Sequence, residues 1–121
     1  MTPPFGELVQ KRRAALRLGL RECALRAGID PGNLSRIERE RVAPPQDPDI
    51  LARLLEALEL TDTPEGQELY DVAATQNGRI PRDILSNEEV MASMPILLRT
   101  VSNKQLDGSQ VEKLIDLIKN A

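Results

Sequence analysis

The 121-residue sequence contains no histidine, no tryptophan and a single cysteine, Cys23. Without histidine, the chain cannot form a Ser-His-Asp triad or a Cys-His nucleophile pair. One cysteine allows neither an intramolecular disulfide nor a zinc site with Cys and His ligands. We therefore expect a protein that is not an enzyme, with no catalytic site, no metal site and no cofactor.

Aromatic residues are also scarce, since Phe5 and Tyr70 are the only two. The hydrophobic content of 40% must therefore build its core from aliphatic side chains, a composition that favours helices. Apolar residues recur at helical spacing, and no sustained alternation of β-branched residues marks a strand. The sequence predicts an all-α protein.

Long hydrophobic runs are missing as well. The beginning of the sequence lacks the apolar run of a signal peptide, and no stretch approaches the length of a membrane span. A chain with one cysteine also has no disulfide framework of the kind that secreted proteins use. We expect a cytoplasmic protein with no membrane partner.

The net charge of −3 is distributed unevenly. Residues 1–45 hold nine Lys and Arg against five acids, whereas residues 46–121 hold seven against fourteen. The first segment is therefore basic by four charges and the second acidic by seven. This asymmetry predicts an anion-binding surface in the N-terminal third, supported by an acidic remainder.

Helical periodicity, prolines and glycines together divide the chain into two parts. We assign residues 1–77 to an N-terminal domain with five predicted helices, at about 5–17, 20–27, 31–39, 48–59 and from Thr63 onward.

Residues 78–121 are predicted to form a helical C-terminal extension. Ser86 and Glu89 have the spacing of a capping box, which predicts that a helix begins there. Pro95 is expected to kink or divide that helix. A last helix is predicted to be capped near Asp107.

Two short predicted helices are separated by Gly28-Ile29-Asp30, a turn length typical of a helix-turn-helix unit. At 100° per residue, the third helix places Leu34, Ile37 and Glu38 on one side. The opposite side carries Gly32, Arg36 and Arg39, flanked by Asn33 and Ser35. Arg and Asn are the side chains that bond guanine and adenine edges, so this helix is predicted to read the major groove of double-stranded DNA. The alternative is an amphipathic surface helix with solvated arginines.

Residues 18–39 resemble the XRE family of helix-turn-helix regulators, to which Cro and the lambdoid phage repressors belong. The matching segment is Leu18-Gly19-Leu20-Arg21-Glu22-Cys23-Ala24-Leu25-Arg26-Ala27-Gly28-Ile29-Asp30-Pro31-Gly32-Asn33-Leu34-Ser35-Arg36-Ile37-Glu38-Arg39. Ala24, Gly28 and residues 34–39 carry the match, which extends over about residues 5–75. The resemblance implies a five-helix lambda-repressor-like domain and a sequence-specific transcriptional regulator, as a homodimeric repressor. It also implies a structural ion pair between Arg13 and Glu38.

The sequence departs from the family pattern at four positions. Gly19 stands where Ser or Thr usually caps the second helix, and Leu20 and Gly32 replace residues that are often polar. Glu40 stands where Gly is common, so a less tightly turned exit from the third helix is expected. The residues expected at bases are Gly32, Asn33, Ser35 and Arg36. The residues expected at phosphates are Arg17, Arg21, Arg39 and Arg41.

Two further features leave alternatives open. Cys23 occupies a usually apolar family position and is interpreted as a core residue, with a redox switch as the alternative. The last predicted helix carries an apolar stripe that consists of Val111, Leu114, Ile115 and Ile118. We interpret this stripe as a dimer or partner face, with packing within the chain as the alternative.

The extension has a weaker resemblance to HigA-type antitoxins. An alternative function is therefore an antitoxin that represses its own operon and binds a toxin through residues 78–121. A protein-interaction adaptor that has lost DNA binding is the alternative from another class. The protein partner that we expect, other than a second copy of the chain, is a toxin or an anti-repressor.

Overall fold

The computed structural model describes residues 3–79, 82–104 and 107–119, apart from the side chains of residues 82, 114, 115 and 117–119. In this part of the chain every regular element is an α-helix and no strand occurs, so the all-α prediction is confirmed. None of these helices is long and apolar enough to cross a membrane. The eight helices are α1 (Phe5–Ala15), α2 (Leu20–Ala27), α3 (Pro31–Glu38), α4 (Pro48–Ala57), α5 (Pro64–Gln76), α6 (Arg82–Leu85), α7 (Glu88–Lys104) and α8 (Gly108–Lys119).

The chain divides into two compact units, one ending at Pro81 and the other beginning at Arg82. The first unit contains α1 to α5. Within it, α2 packs on α3 and α4, and α1 packs on α3 and α5. The core is almost entirely aliphatic, and its largest fully buried side chains are Phe5, Val9, Cys23, Leu34, Leu54, Leu55 and Leu58.

Three helices of the first unit begin with the same local signal, a capping side chain followed by proline. Asp30 Oδ2 accepts a hydrogen bond from the Asn33 N–H at 3.1 Å before α3. The equivalent bonds run from the Asp49 N–H to Asp47 Oδ1 before α4 and from the Gly66 N–H to Thr63 Oγ1 before α5. Because proline lacks an N–H, it fits the first helical position at no cost in hydrogen bonds.

One or two residues after the end of each helix of the first unit stands a residue with a left-handed backbone conformation. The N–H of the residue that follows it donates to a carbonyl in the last turn of the helix. These residues are Arg17, Gly28, Glu40, Glu59 and Gly78. Only two are glycine, although this conformation is unfavourable for other residues. Glu40, with φ of 59°, still closes the turn, since the Arg41 N–H donates to the Arg36 carbonyl at 2.9 Å. The expected looser exit from α3 is therefore wrong.

The second unit corrects one prediction and confirms another. The N-cap of α7 is Asn87, whose Oδ1 accepts from the Val90 N–H at 3.0 Å, while the Ser86 hydroxyl donates to the Asp83 carbonyl. The Ser86 capping box is therefore wrong, because that hydroxyl closes α6 instead. Pro95 lies inside α7 without dividing it. Asp107 caps α8 as predicted, accepting from the Gln110 N–H at 2.8 Å.

Candidate nucleic-acid interface

The two sides of α3 differ in burial. Leu34, Ile37 and Glu38 are buried, with at most 8% of their surface exposed. Arg36 and Arg39 are exposed, three residues apart and so on one face of the helix. Gly32 is also exposed, and Asn33 and Ser35 are partly exposed at the edges. The apolar side of α3 packs into the core, and its other side presents two guanidinium groups.

Gly32, in the first turn of α3, has no side chain to cover the backbone. A Cβ atom added there would lie 3.0 Å from Asp30 Oδ2 and 3.7 Å from Arg36 Nη1. Glycine therefore leaves the backbone accessible between these two charged groups. Asn33 lies at the edge of the exposed face, where it lines a shallow depression together with Asp30 and residues 42–47.

Four of the nine basic residues in the N-terminal third are already engaged within the protein. Lys11 pairs with Glu7 at 3.3 Å, and Arg26 pairs with Glu22 at 3.0 Å. Arg12 Nε donates to the Leu58 carbonyl at 2.9 Å and thereby caps the end of α4. The fourth is Arg13, which pairs with Glu38.

The other five basic residues are exposed, and none has a carboxylate partner in the described part of the chain. They are Arg17, Arg21, Arg36, Arg39 and Arg41. These are the five arginines that the sequence predicts to contact DNA. Arg39 Nε makes one hydrogen bond, to the Ser35 carbonyl of its own helix at 3.3 Å.

The five arginines belong to three neighbouring segments. Arg36 lies in α3, Arg39 is its C-cap, and Arg41 follows two residues later. Arg17 and Arg21 stand on either side of the beginning of α2. Since the N-cap Gly19 offers no side-chain acceptor, the N–H groups of the first turn of α2 have no side-chain cap. Such a helix end attracts anions.

Arg13 and Glu38 form a two-pronged ion pair between α1 and α3. Arg13 Nε lies 2.8 Å from Glu38 Oε2, and Nη2 lies 2.9 Å from Oε1. The side chains are 20% and 6% exposed. Arg13 Nη1 also donates to the Leu18 carbonyl, just before α2. The hydrogen bond to Glu38 raises the pKa of Arg13 above its ordinary value, despite the opposing effect of burial. The pair joins the elements that carry the exposed arginines.

A second polar cluster, absent from the sequence prediction, fixes the beginning of α1. The Gly6 N–H donates to Glu40 Oε1 at 2.6 Å, and the Phe5 N–H donates to Gln76 Oε1 at 2.6 Å. Gln76 Nε2 in turn donates to Glu40 Oε2 at 3.0 Å. Since the N-cap of α1, Pro4, makes no side-chain hydrogen bond, Glu40 just after α3 and Gln76 at the end of α5 supply the cap. The only signal in the sequence was an acidic residue at a position where the family favours glycine.

The predicted dimer or partner face lies mostly outside the described residues. Val111 is partly exposed, whereas the side chains of Leu114, Ile115 and Ile118 are not among those described. In the described part of the second unit, the exposed large apolar side chains are Ile84, Leu85, Val90, Ile96, Leu97 and Leu98.

Cys23 is fully buried in the core of the first unit. Burial raises the pKa of its thiol above the ordinary value, and the charge of Glu38 adds to the rise. Because the thiolate is the reactive form, this cysteine is chemically protected. Among the described residues, no cluster of three or more Cys, Asp and Glu side chains is suited to hold a metal ion.

Comparison of the chain with models of protein families, with curated protein sequences and with solved structures gives no match.

Proposed function

We propose that the protein is a sequence-specific regulator of transcription, a homodimeric repressor that reads the major groove of double-stranded DNA with α3. In this proposal α2 and α3 form a helix-turn-helix unit within a lambda-repressor-like domain. One observation carries it: the arginines of residues 1–45 divide into those engaged within the fold and an exposed set around α3 that has no acidic partner among the described residues. Guanidinium groups on an exposed helix face are suited to a polyanion.

The exposed side chains of α3 match the chemistry of base edges. The guanidinium of Arg36 can donate two hydrogen bonds to O6 and N7 of guanine, and the amide of Asn33 can bond adenine in the same two-pronged way. Ser35 can donate to or accept from either base. Gly32, which has no side chain, lets the backbone of α3 approach the groove.

The remaining arginines are assigned to the phosphate backbone. Arg39 and Arg41 lie at or beyond the end of α3, and Arg17 and Arg21 flank the uncapped beginning of α2. Phosphate contacts fix the register of the protein on the duplex without reading sequence. The acidic remainder of the chain repels DNA, which restricts binding to the basic third.

The proposal is tested by selecting bound sites from a pool of random duplexes and then measuring affinities for the selected site. Arg36→Ala is expected to cost about 1–3 kcal/mol on that site and to relax the preference at one base position. Arg99→Ala is the matched control, because it removes the same charge from an exposed position on α7, outside the unit that contains α2 and α3. Its affinity should stay close to that of the wild type.

Two results would overturn the proposal. The first is a selection that yields no enriched sequence. The second is an equal, small effect of Arg36→Ala and Arg99→Ala, which would show that α3 does not face the DNA.

A further inference from the structure

We infer that α7 is the surface through which two copies of this chain associate, packed side by side in antiparallel orientation about a two-fold axis. The inference deepens the proposed homodimer and rests on it. It assigns the interface to α7, whereas the sequence pattern had pointed to the stripe on α8.

The first observation is the exposure of apolar side chains on α7. None of its residues is buried: Val90 and Leu97 are 40% and 50% exposed, and Met94 and Val101 are partly exposed. No described side chain from residue 83 onward is buried. A segment of about 40 residues seldom builds a stable core alone and usually needs a disulfide, a metal or a partner chain. Cys23 is the only cysteine of the chain and lies in the other unit, so a disulfide is not available to this segment.

The second observation is the register of the apolar residues. Val90, Met94, Leu97 and Val101 follow one another at spacings of four, three and four residues, which is the seam of a coiled coil. This spacing reads the same in both directions along the helix. In antiparallel orientation, Val90 therefore lies opposite Val101 of the second copy, and Met94 lies opposite Leu97. A two-fold interface requires this kind of self-complementary surface.

The third observation is the charge at the two ends of α7. Glu88 and Glu89 lie in its first turn, and Lys104 lies in its last. Antiparallel pairing brings the acidic end of one helix next to the basic end of the other, whereas parallel pairing brings like charges together. Antiparallel helices also align their dipoles favourably. A second copy of α7 therefore complements both the apolar seam and the charges.

Sedimentation equilibrium of the full-length chain without DNA tests the inference. Leu97→Glu puts a carboxylate into the seam, and Ile96→Glu is the matched control, because Ile96 is 73% exposed and lies about 100° around the helix from Leu97, outside the seam. The wild type and Ile96→Glu should be dimers at tens of micromolar. Leu97→Glu should weaken the dimer by about 30-fold or more, as expected for a residue at the centre of an interface.

Two results of this experiment would overturn the inference, namely a monomeric wild type or an equal loss of association in both variants. Thermal melts followed by circular dichroism show that each variant is folded. Since no DNA is present, failure of the dimer is distinguishable from failure of DNA binding.

Cysteine crosslinking tests the orientation independently of any loss of folding. Val90→Cys and Val101→Cys chains are oxidised separately and as a mixture, and the native Cys23 does not compete because it is buried. Antiparallel pairing predicts efficient crosslinking only in the mixture. Equal crosslinking of Val90→Cys alone would indicate parallel helices and would overturn the proposed register.

Discussion

The carboxylate of Glu40 accepts a hydrogen bond from the backbone N–H of Gly6 at 2.6 Å, across 34 residues of sequence. Glu40 occupies a left-handed conformation that costs a residue with a side chain about 1–2 kcal/mol. The same carboxylate accepts from Gln76, so it joins the beginning of α1, the end of α3 and the end of α5. A locally unfavourable residue thus stabilises the arrangement of three helices.

This relationship predicts opposite effects of the same substitution at two left-handed positions. Glu59→Gly should raise the free energy of unfolding by about 0.5–1 kcal/mol, because it relieves backbone strain. The side chain of Glu59 makes no hydrogen bond or ion pair in the described part of the chain, so its removal costs no such contact. Glu40→Gly relieves the same strain but removes two hydrogen bonds to a carboxylate, worth about 1.5–3 kcal/mol each, so it should lower the free energy of unfolding by about 1–2 kcal/mol or more. Urea denaturation measures both values.

If Glu40→Gly stabilised the protein as much as Glu59→Gly, the Glu40 carboxylate would contribute nothing as a cap.

A second prediction concerns the close approach of α1 to α3 at Gly6. A Cβ atom there would lie 2.3 Å from the Ile37 carbonyl oxygen and 2.7 Å from that of Glu38. Both contacts are with backbone, which cannot move aside easily, so Gly6→Ala should destabilise the protein by about 1–3 kcal/mol. Gly108→Ala is the control, since nothing lies within 4 Å of the added atom. Thermal melting that shows equal effects at the two sites would contradict the close approach.

The boundaries of α2 and α3 were predictable because their signals are local. Gly28 ends one helix with a left-handed conformation, and Asp30 with Pro31 begins the next. The burial of Leu34 also follows from helical periodicity alone. Information of this kind extends over only a few residues, which is the range that sequence patterns describe well.

Long-range contacts were not predictable from the pattern. Gly6 and Glu40 meet only after α1 has packed on α3, so the compensation for the strained turn is invisible in the sequence. The same holds for Arg12, whose contact with Leu58 distinguishes it from the exposed arginines. Even a local prediction failed where Ser86 and Asn87 competed for one cap, because the Ser86 hydroxyl had a nearer carbonyl acceptor.

A third prediction compares two ion pairs of different burial. Glu38→Ala should cost about 3–5 kcal/mol of unfolding free energy, because it strands the mostly buried guanidinium of Arg13. Glu22→Ala should cost less than about 1 kcal/mol, since the Glu22–Arg26 side chains are 51% and 54% exposed. Denaturant titration of both variants provides the comparison. A small loss for Glu38→Ala would show that the pair does not hold α1 to α3.

A fourth prediction concerns pH and Cys23. Since folding raises the pKa of the thiol above its ordinary value of 9.0, the unfolded chain loses this proton first as pH rises. The contribution of the thiol to stability is therefore complete below pH 9 and is lost above it, with a slope of up to about 1.4 kcal/mol per pH unit. Cys23→Ala should lack this loss. Free energies of unfolding measured from pH 7.5 to pH 10.5 for both proteins isolate the effect.

Parallel pH profiles for the wild type and Cys23→Ala would show that the thiol titrates alike in the folded and unfolded chains. A thiol reagent provides a second measurement, because Cys23 should react only as fast as the protein unfolds.

The last prediction separates phosphate contacts from base contacts through their salt dependence. Arg41 follows the end of α3 and is assigned to phosphate, so Arg41→Ala should weaken binding equally on the selected site and on a scrambled duplex. It should also reduce the slope of log affinity against log salt by about one, because one fewer counterion is released. Arg36→Ala should instead weaken the selected site more than the scrambled one.

Fluorescence anisotropy at several KCl concentrations measures both quantities for the two variants. A change of base preference in Arg41→Ala would place this residue in the groove rather than at the backbone. Because both residues are exposed arginines with no carboxylate partner in the part of the chain that the structure describes, they differ mainly in where the fold places them. An identical response of the two variants would therefore contradict the orientation of α3 on DNA, even if the protein binds DNA.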